Sequence, residues 1–325
     1  MMELQRKQKQ LRNEAVEQEH VYVIKNGNPA SLNSQQVWKR AEKILKKEAI
    51  LYSVFVTKYA GHAKVIAEDL LRETSIRTLL LVVGGDGTMH EVINGAAPYP
   101  HAIVACIPAG SGNDYARGVQ KTLNVKEAIK LIQKPDEASR IDLGQMQSKG
   151  NKCYFMNSLG LGFDASICEV VNRSKWKPQF QKWKLGKFIY LYYFLKQLFI
   201  FKPFSLQVEV DGRHEEYDHV WLIVVANQPY FGGGLKVSPN STTNDGKFHV
   251  LVVNNLSARM FLLVFATIFW GGHLRLSKWV RHFTCNEIKL ETEQTVPIQA
   301  DGEVIGDSII SAKIIPKKLL VTSKR

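Results

Sequence analysis

Two short stretches of this 325-residue chain carry residue types suited to phosphate chemistry. The first is Gly84-Gly85-Asp86-Gly87-Thr88, which follows an apolar run at 78–83 and precedes a helical stretch at 89–95. Its glycines free the backbone for positive φ and remove Cβ atoms that would keep a phosphate away. Thr88 is positioned to cap the following helix, whose N-terminal N–H groups and dipole favour an anion. Asp86 would repel that anion unless a divalent cation lies between them, so a nucleotide with Mg2+ is the natural ligand. A glycine-rich β-turn with an ordinary turn aspartate accounts for the same residues. The second stretch, Pro108-Ala109-Gly110-Ser111-Gly112-Asn113-Asp114, ends the next apolar run. Open parallel sheets bind ligands beyond the carboxyl ends of their strands. Two glycine loops there, each with an aspartate, are harder to dismiss as turns than one. Neither loop is followed by the Lys-Ser/Thr of a P-loop, and neither has the six-residue dinucleotide pattern.

Other chemistries are poorly supplied. The nine histidines include no His-x-x-x-His pair, which argues against zinc catalysis. Cys106, Cys153, Cys168 and Cys285 are scattered without a Cys-x-x-Cys pair, as expected of reduced thiols in a cytosolic protein. Ser111 and Ser158 lie outside any Gly-x-Ser-x-Gly elbow and have no identifiable base.

The elements that must position the loops follow from hydrophobic periodicity. Apolar runs at 21–25, 51–57, 78–83 and 102–107 alternate with helical stretches at 35–48 and 62–72. That alternation predicts βαβ units and a parallel sheet, and the lack of polar alternation within the strands predicts helices on both faces. After about residue 141, strand-like segments follow one another at 152–157, 205–211, 219–226, 247–253, 287–291, 295–300 and 309–315. They predict a β-rich domain of sandwich type, interrupted by helices at 163–171, 185–200 and 257–270, the last capped by Ser257. The expected division is a charged extension at 1–20, an α/β domain at 21–138 with 317–325 as a candidate return, and a β-rich domain at 139–316.

Composition narrows the partners. At 45% hydrophobic and 22% charged residues the chain is ordinary globular protein, not a disordered tail, a collagen or a coiled-coil rod. The net charge of +13 fits nucleic acid, an anionic membrane surface or a phosphate-rich substrate. Residues 173–202 hold eight Lys/Arg, no acid and ten aromatics, including Trp176, Trp183, Tyr190, Tyr192 and Tyr193. Basic charge interleaved with tryptophan and tyrosine predicts a membrane-interface element, ahead of a helix with a solvated basic edge and well ahead of single-stranded nucleic acid. The longest apolar runs fall short of the ~20 residues that span a bilayer, and the charged N-terminus is no signal peptide.

Taken in order, the motifs resemble the diacylglycerol/sphingosine kinase catalytic family, and most nearly its bacterial soluble lipid kinases. The resemblance rests on Gly84–Thr88 with Glu91 and Asn94, on Pro108–Asp114, on Thr57 with Gly61-His62-Ala63, and on Asn157-Ser158-Leu159-Gly160-Leu161-Gly162-Phe163-Asp164. It spans residues 21–325. It implies transfer of a phosphoryl group from ATP, with Mg2+, to a lipid hydroxyl by a cytoplasmic, peripherally membrane-associated enzyme of phospholipid metabolism, with a homodimer left open. It also implies ATP contacts from Thr57, Gly84, Gly85, Asp86, Gly87, Thr88, Met89, His90, Ser111 and Glu303. Ala300-Asp301-Gly302-Glu303 matches the segment whose Asp is the expected base; locally the same residues read as an Asp-Gly hairpin. Pro239–Gly246 matches a stretch holding a structural Mg2+, here through Asp245 and main-chain oxygens of Thr242 and Lys247, with Asp114 and Asp245 in an interdomain charge network.

The chain departs from the family pattern in places. Asn244 stands where a second Asp is common and Lys247 where Leu is common, which weakens the expected metal site. In the first loop, either Asn26 or Asn28 is the counterpart of the family's Asn. Two rivals follow: an NAD kinase, which shares Gly-Gly-Asp-Gly-Thr, and a catalytically degenerate nucleotide- or membrane-binding module.

Overall fold

The computed structural model describes residues 20–28, 32–148, 150–174, 176, 186–307 and 309–324. The expected extension at 1–20, apart from His20, and most of 175–185, including Trp183, lie outside the described residues.

The first half is a parallel α/β layer. Strands β1 (Val21–Lys25), β2 (Tyr52–Val56), β3 (Thr78–Gly84) and β4 (Ala102–Pro108) pair in parallel in the order β2-β1-β3-β4. Side chains alternate along each strand and so sort into two cores. Val21, Val23, Leu79, Leu81, Ile103 and Ala105 face α1 (Leu32–Lys47) and α5 (Val125–Ile132). Ile24, Leu80, Val82 and Val104 face α2 (His62–Arg72) and α3 (Asp86–Ala96). Both faces are covered, as the uninterrupted apolar strands required.

One local expectation fails. Helix α3 begins at Asp86, not at residue 89, and its N-cap is Gly85 in an extended conformation with φ −98° and no side-chain cap. The first helical bond is donated by Met89 N–H to Gly85 O at 3.0 Å. Thr88 is therefore inside the helix; its buried hydroxyl accepts from Asn26 Nδ2 at 3.3 Å. The helix thus starts three residues earlier than an apolar-periodicity reading suggests.

The second half is β-rich. The sheet runs β16-β15-β7-β9-β8-β14-β17 and then continues into β4 of the first half. Here β7 is Ser158–Gly162, β8 Phe204–Val210, β9 Arg213–Ala226, β14 Glu287–Glu291, β15 Pro297–Ala300, β16 Glu303–Asp307 and β17 Ile309–Val321. The join is made by the last strand: Leu320 and Val321 pair in parallel with Ile103 and Val104, while the same strand pairs antiparallel with β5 (Ser139–Ser148). Beside these, β6 is Asn151–Phe155, β12 Phe248–Asn254 and β13 Val280–Cys285, and β10 (Tyr230–Phe231) and β11 (Leu235–Lys236) form a separate antiparallel pair. The sandwich interior is filled by Phe155, Leu161, Phe204, Ile223, Phe248 and Ile288 among others. The outer face of β9 and β12 is covered by α6 (Phe163–Arg173), α7 (Gly186–Ile200) and α8 (Ala258–Ala266). Ser257 caps α8 as expected, its side chain accepting from Met260 N–H. Strands β5, β7, β13 and β16 were not anticipated; β5 and β7 are rich in polar residues or glycine and are made strands by their neighbours, not by propensity.

Candidate active site between the two halves

The two glycine loops touch. A Cβ built on Gly85 would lie 2.9 Å from Gly110 Cα, and one on Gly110 would lie 2.5 Å from Gly85 Cα. Neither position accepts a side chain, so bare backbone lines this end of the sheet. At the same carboxyl edge, Asn26 follows β1 and reaches Thr88, which makes Asn26 rather than Asn28 the residue built into the site. The Thr57 hydroxyl accepts from Gly27 N–H at 3.0 Å, and Ser111 is exposed on the second loop.

Aspartates tie the loops to one another and to the second domain. Asp86 Oδ1 accepts from Tyr115 N–H at 3.2 Å, at the start of the short helix α4 (Asp114–Gly118). Gly112 has no Cβ because one would sit 2.8 Å from Asp86 Oδ2. Asp114 is 6% exposed, and its Oδ2 accepts from Gly233 N–H at 2.8 Å across the domain boundary. Its Oδ1 is buried without a partner. Burial, reinforced by the negative charge of Asp114, raises the Asp86 carboxyl to about 7. Burial also raises Asp114, against the pull of the Gly233 and Gly234 amides. The run Gly232-Gly233-Gly234 is a signal that the sequence reading passed over.

Asp301 enters from the second domain. Asp301 and Gly302 both have positive φ, 51° and 90°, and form the two-residue turn between β15 and β16. The local hairpin reading and the expected position in the site are thus both met, because the turn points its carboxylate inward, with a side chain 1% exposed. Oδ1 accepts from Asn157 N–H at 2.8 Å and Ser158 N–H at 3.2 Å. Oδ2 accepts from Met156 N–H at 3.0 Å and His90 Nδ1–H at 2.9 Å. These four bonds match the roughly four lone-pair sites of a carboxylate. Next along, Glu303 approaches Gly87: a Cβ there would be 3.1 Å from Glu303 Oε1.

The supporting residues explain the remaining motifs. Asn94 donates to Tyr154 O at 2.9 Å and accepts from Tyr154 N–H at 2.7 Å, fastening α3 to β6. Glu91 accepts from Gly61 N–H at 2.8 Å and Ala63 N–H at 3.0 Å, and so caps α2. Asp164 accepts from Gln299 Nε2 at 3.1 Å, and Gln299 Oε1 in turn accepts from Gly302 N–H at 2.7 Å, steadying the Asp301 turn. Gly160 is bare because a Cβ there would collide with Asp164.

Burial opposes charge on His90, but the Asp301 carboxylate and the Cys153 sulfur outweigh it and raise the imidazole to about 10. A histidine raised on folding stabilises the native state fully below its unfolded value of 6.5, and loses that contribution as pH rises towards 10. The stability advantage of wild type over His90→Asn should therefore shrink between pH 6.5 and 10, as followed by urea melts across that range. An advantage independent of pH would remove the ion pair.

At the expected structural Mg2+ site, the Asp245 carboxylate has protein partners of its own. Asp245 Oδ1 accepts from Lys247 N–H at 3.1 Å, and Oδ2 faces His249 Nε2 at 3.1 Å. A hard cation there would compete with these two nitrogen groups for the carboxylate oxygens. Of the two aspartates expected in an interdomain network, Asp114 crosses the domain boundary, to the Gly233 amide. The 239–246 loop is held by Asp142, which the sequence reading missed: Oδ2 accepts from Gly246 N–H at 2.7 Å and Oδ1 from Lys317 N–H at 2.8 Å.

Comparison with known proteins places this geometry. Residues 20–146 match the diacylglycerol kinase catalytic domain, and residues 157–323 match the YegS C-terminal NAD kinase beta sandwich-like domain. The YtlR protein of Bacillus subtilis (strain 168) is 30% identical over 308 residues, covering 93% of this chain and 99% of its own length. A diacylglycerol kinase of the same organism is 29% identical over 287 residues, covering 86% and 88%. Among solved structures, one from Bacillus anthracis str. Sterne superposes with a TM-score of 0.72 at 22% identity, covering 94% of this chain and 97% of that one. A diacylglycerol kinase structure from the same strain superposes at 0.63 and 18%, with the same coverage.

Proposed function

The chain belongs to the family that joins a diacylglycerol kinase catalytic domain to a YegS-type C-terminal domain, and from that premise we propose that it transfers the γ-phosphate of ATP to the hydroxyl of a diacylglycerol-like lipid. One observation carries the reading. The touching pair of glycine loops faces an Asp301–Glu303 turn supplied by the other domain, so phosphate cradle and candidate base meet at one cleft.

In this reading the phosphates lie on the bare backbone of Gly84–Gly87 and Gly110, with the N-terminus of α3 adding its dipole. Ser111 and Thr57 offer hydroxyls at the rim, and Glu303 borders Gly87. A Mg2+ carried by the nucleotide would neutralise the phosphate charge; the unpartnered Asp114 oxygen and the raised carboxyl of Asp86 are the chemistry such a cation relieves. Asp301 takes the proton of the attacking lipid hydroxyl. Its four bonds leave no free site, so the hydroxyl must replace a partner. Three partners are backbone N–H groups fixed by the β6–β7 connection, which makes His90 the group that gives way.

Incubating the protein with radiolabelled ATP and a total lipid extract, then separating lipids by chromatography, tests the reading. A labelled phospholipid supports it. ATP binding with no labelled lipid leaves a binding module, and label transferred to added NAD would replace the lipid with a soluble acceptor.

A further inference from the structure

Two stretches of the chain contain no Asp or Glu. Residues 170–208 hold eight Lys/Arg and residues 246–286 hold five. Together these thirteen equal the net charge of +13, so the rest of the chain is balanced at 30 basic against 30 acidic residues. The fold brings one helix from each stretch together. Helix α7 comes from the first and α8 from the second, and the Phe194 and Phe265 rings meet between them at 4.4 Å.

The outward faces of these helices break the rule for a soluble surface, where the side away from the core is polar. In residues 188–200 the one charged residue is Lys196, and in 258–270 it is Arg259. Outward positions carry Leu191, Leu195 and Phe199 on α7, and Leu263, Phe269 and Trp270 on and just after α8; Phe199 is 83% exposed and Trp270 71%. Exposed cations, Lys202, Arg275 and Lys278, follow these segments in the chain. No helix among the described residues is long and apolar enough to cross a membrane.

This face adjoins the catalytic cleft. Helix α6, against which α7 lies, packs on β15 and β16, and Asn172 near its end donates to Gly302 O at 3.5 Å.

We propose that α7 and α8 form one docking face that seats the protein on an anionic lipid bilayer, with Leu263, Phe269 and Trp270 forming a second insertion element beside α7. The inference rests on the reading of the substrate as a membrane lipid. Aromatic and aliphatic side chains enter the headgroup–acyl boundary, and the lysines and arginines of the acid-free stretches meet anionic headgroups. A second copy of the chain fits less well, since a two-fold pairing of this face would set like charges together.

The test uses full-length protein, sedimentation with vesicles of phosphatidylcholine alone or mixed with phosphatidylglycerol, and the double variant Leu263→Glu/Trp270→Glu. Wild type should bind the anionic vesicles, and bind them less at high salt. The variant should lose at least roughly tenfold in binding, the equivalent of one buried apolar side chain. It should still phosphorylate a short-chain diacylglycerol presented as monomer, which also reports that it is folded. Wild-type binding by a variant whose thermal melt is unchanged overturns the proposal, as do equal binding of wild type to neutral vesicles and a wild-type dimer in solution that the variant dissolves. Vesicle binding is read without catalysis, so a failure to phosphorylate any lipid would sink the kinase reading and leave the docking result standing.

Discussion

Replacing Asp301 with Asn should lower kcat for lipid phosphorylation by roughly 10²–10⁴-fold, the range of a positioned general base. The substitution is close to isosteric, so its first effect is chemical: the amide cannot take the hydroxyl proton. Its second effect is local. The carboxylate accepts four N–H groups, and an amide NH2 on either side would face the N–H of Met156 or those of Asn157 and Ser158. The turn should loosen, while the glycine loops proposed to hold the nucleotide are untouched. The measurement is therefore a split: KM for ATP within a few-fold of wild type and kcat collapsed. A folded Asp301→Asn enzyme with wild-type kcat would take the base role away from Asp301 and leave it as a structural acceptor.

Asp142→Ala should have the largest effect on stability. Asp142 is 1% exposed and sits where the pairing of β17 with β5 slips between Ile315 and Leu319. Its carboxylate accepts from Gly246 and Lys317, its own N–H donates to Thr243 O at 2.7 Å, and its carbonyl accepts from Asn227 Nδ2 at 2.9 Å. Truncation strands two N–H groups that were bonded to a charge, at about 1.5–3 kcal/mol each, so a loss of about 3 kcal/mol or more is expected. Denaturant unfolding should show a lower midpoint with an unchanged slope. Asp142→Asn, which keeps one acceptor, should recover part of the loss. A midpoint unmoved in both variants would mean that the 239–246 loop holds itself.

Much of the fold was legible from local pattern. β1 at Val21–Lys25, α2 at His62–Arg72 and β14 at Glu287–Glu291 fall where periodicity put them, because an apolar stripe and its turn residues are short-range signals. The fully apolar strands β3 and β4 required cover on both sides and have it. The start of α3 was misread because Asp86-Gly87-Thr88 has the composition of a turn, while the structure puts all three inside the helix. The metal at Asp245 was expected from the family resemblance of Pro239–Gly246; a motif match does not announce that His249 and the Lys247 amide contact that carboxylate.

By itself the amino-acid sequence determined that two glycine loops end successive buried strands, that an Asp-Gly turn lies near the C-terminus, and that the positive charge is unevenly spread. Each is a property of neighbouring residues. Only the tertiary structure decided what surrounds them. The cage around Asp301 is built from N–H groups 143 to 145 residues away, and backbone amides carry no residue code that would announce it. His90 finds its partner 211 residues on. Likewise α7 and α8, one from each acid-free stretch, meet through Phe194 and Phe265, 71 residues apart in the chain. Chain connectivity sets which groups exist; long-range pairing and the exclusion of water set which of them meet, and in which charge state.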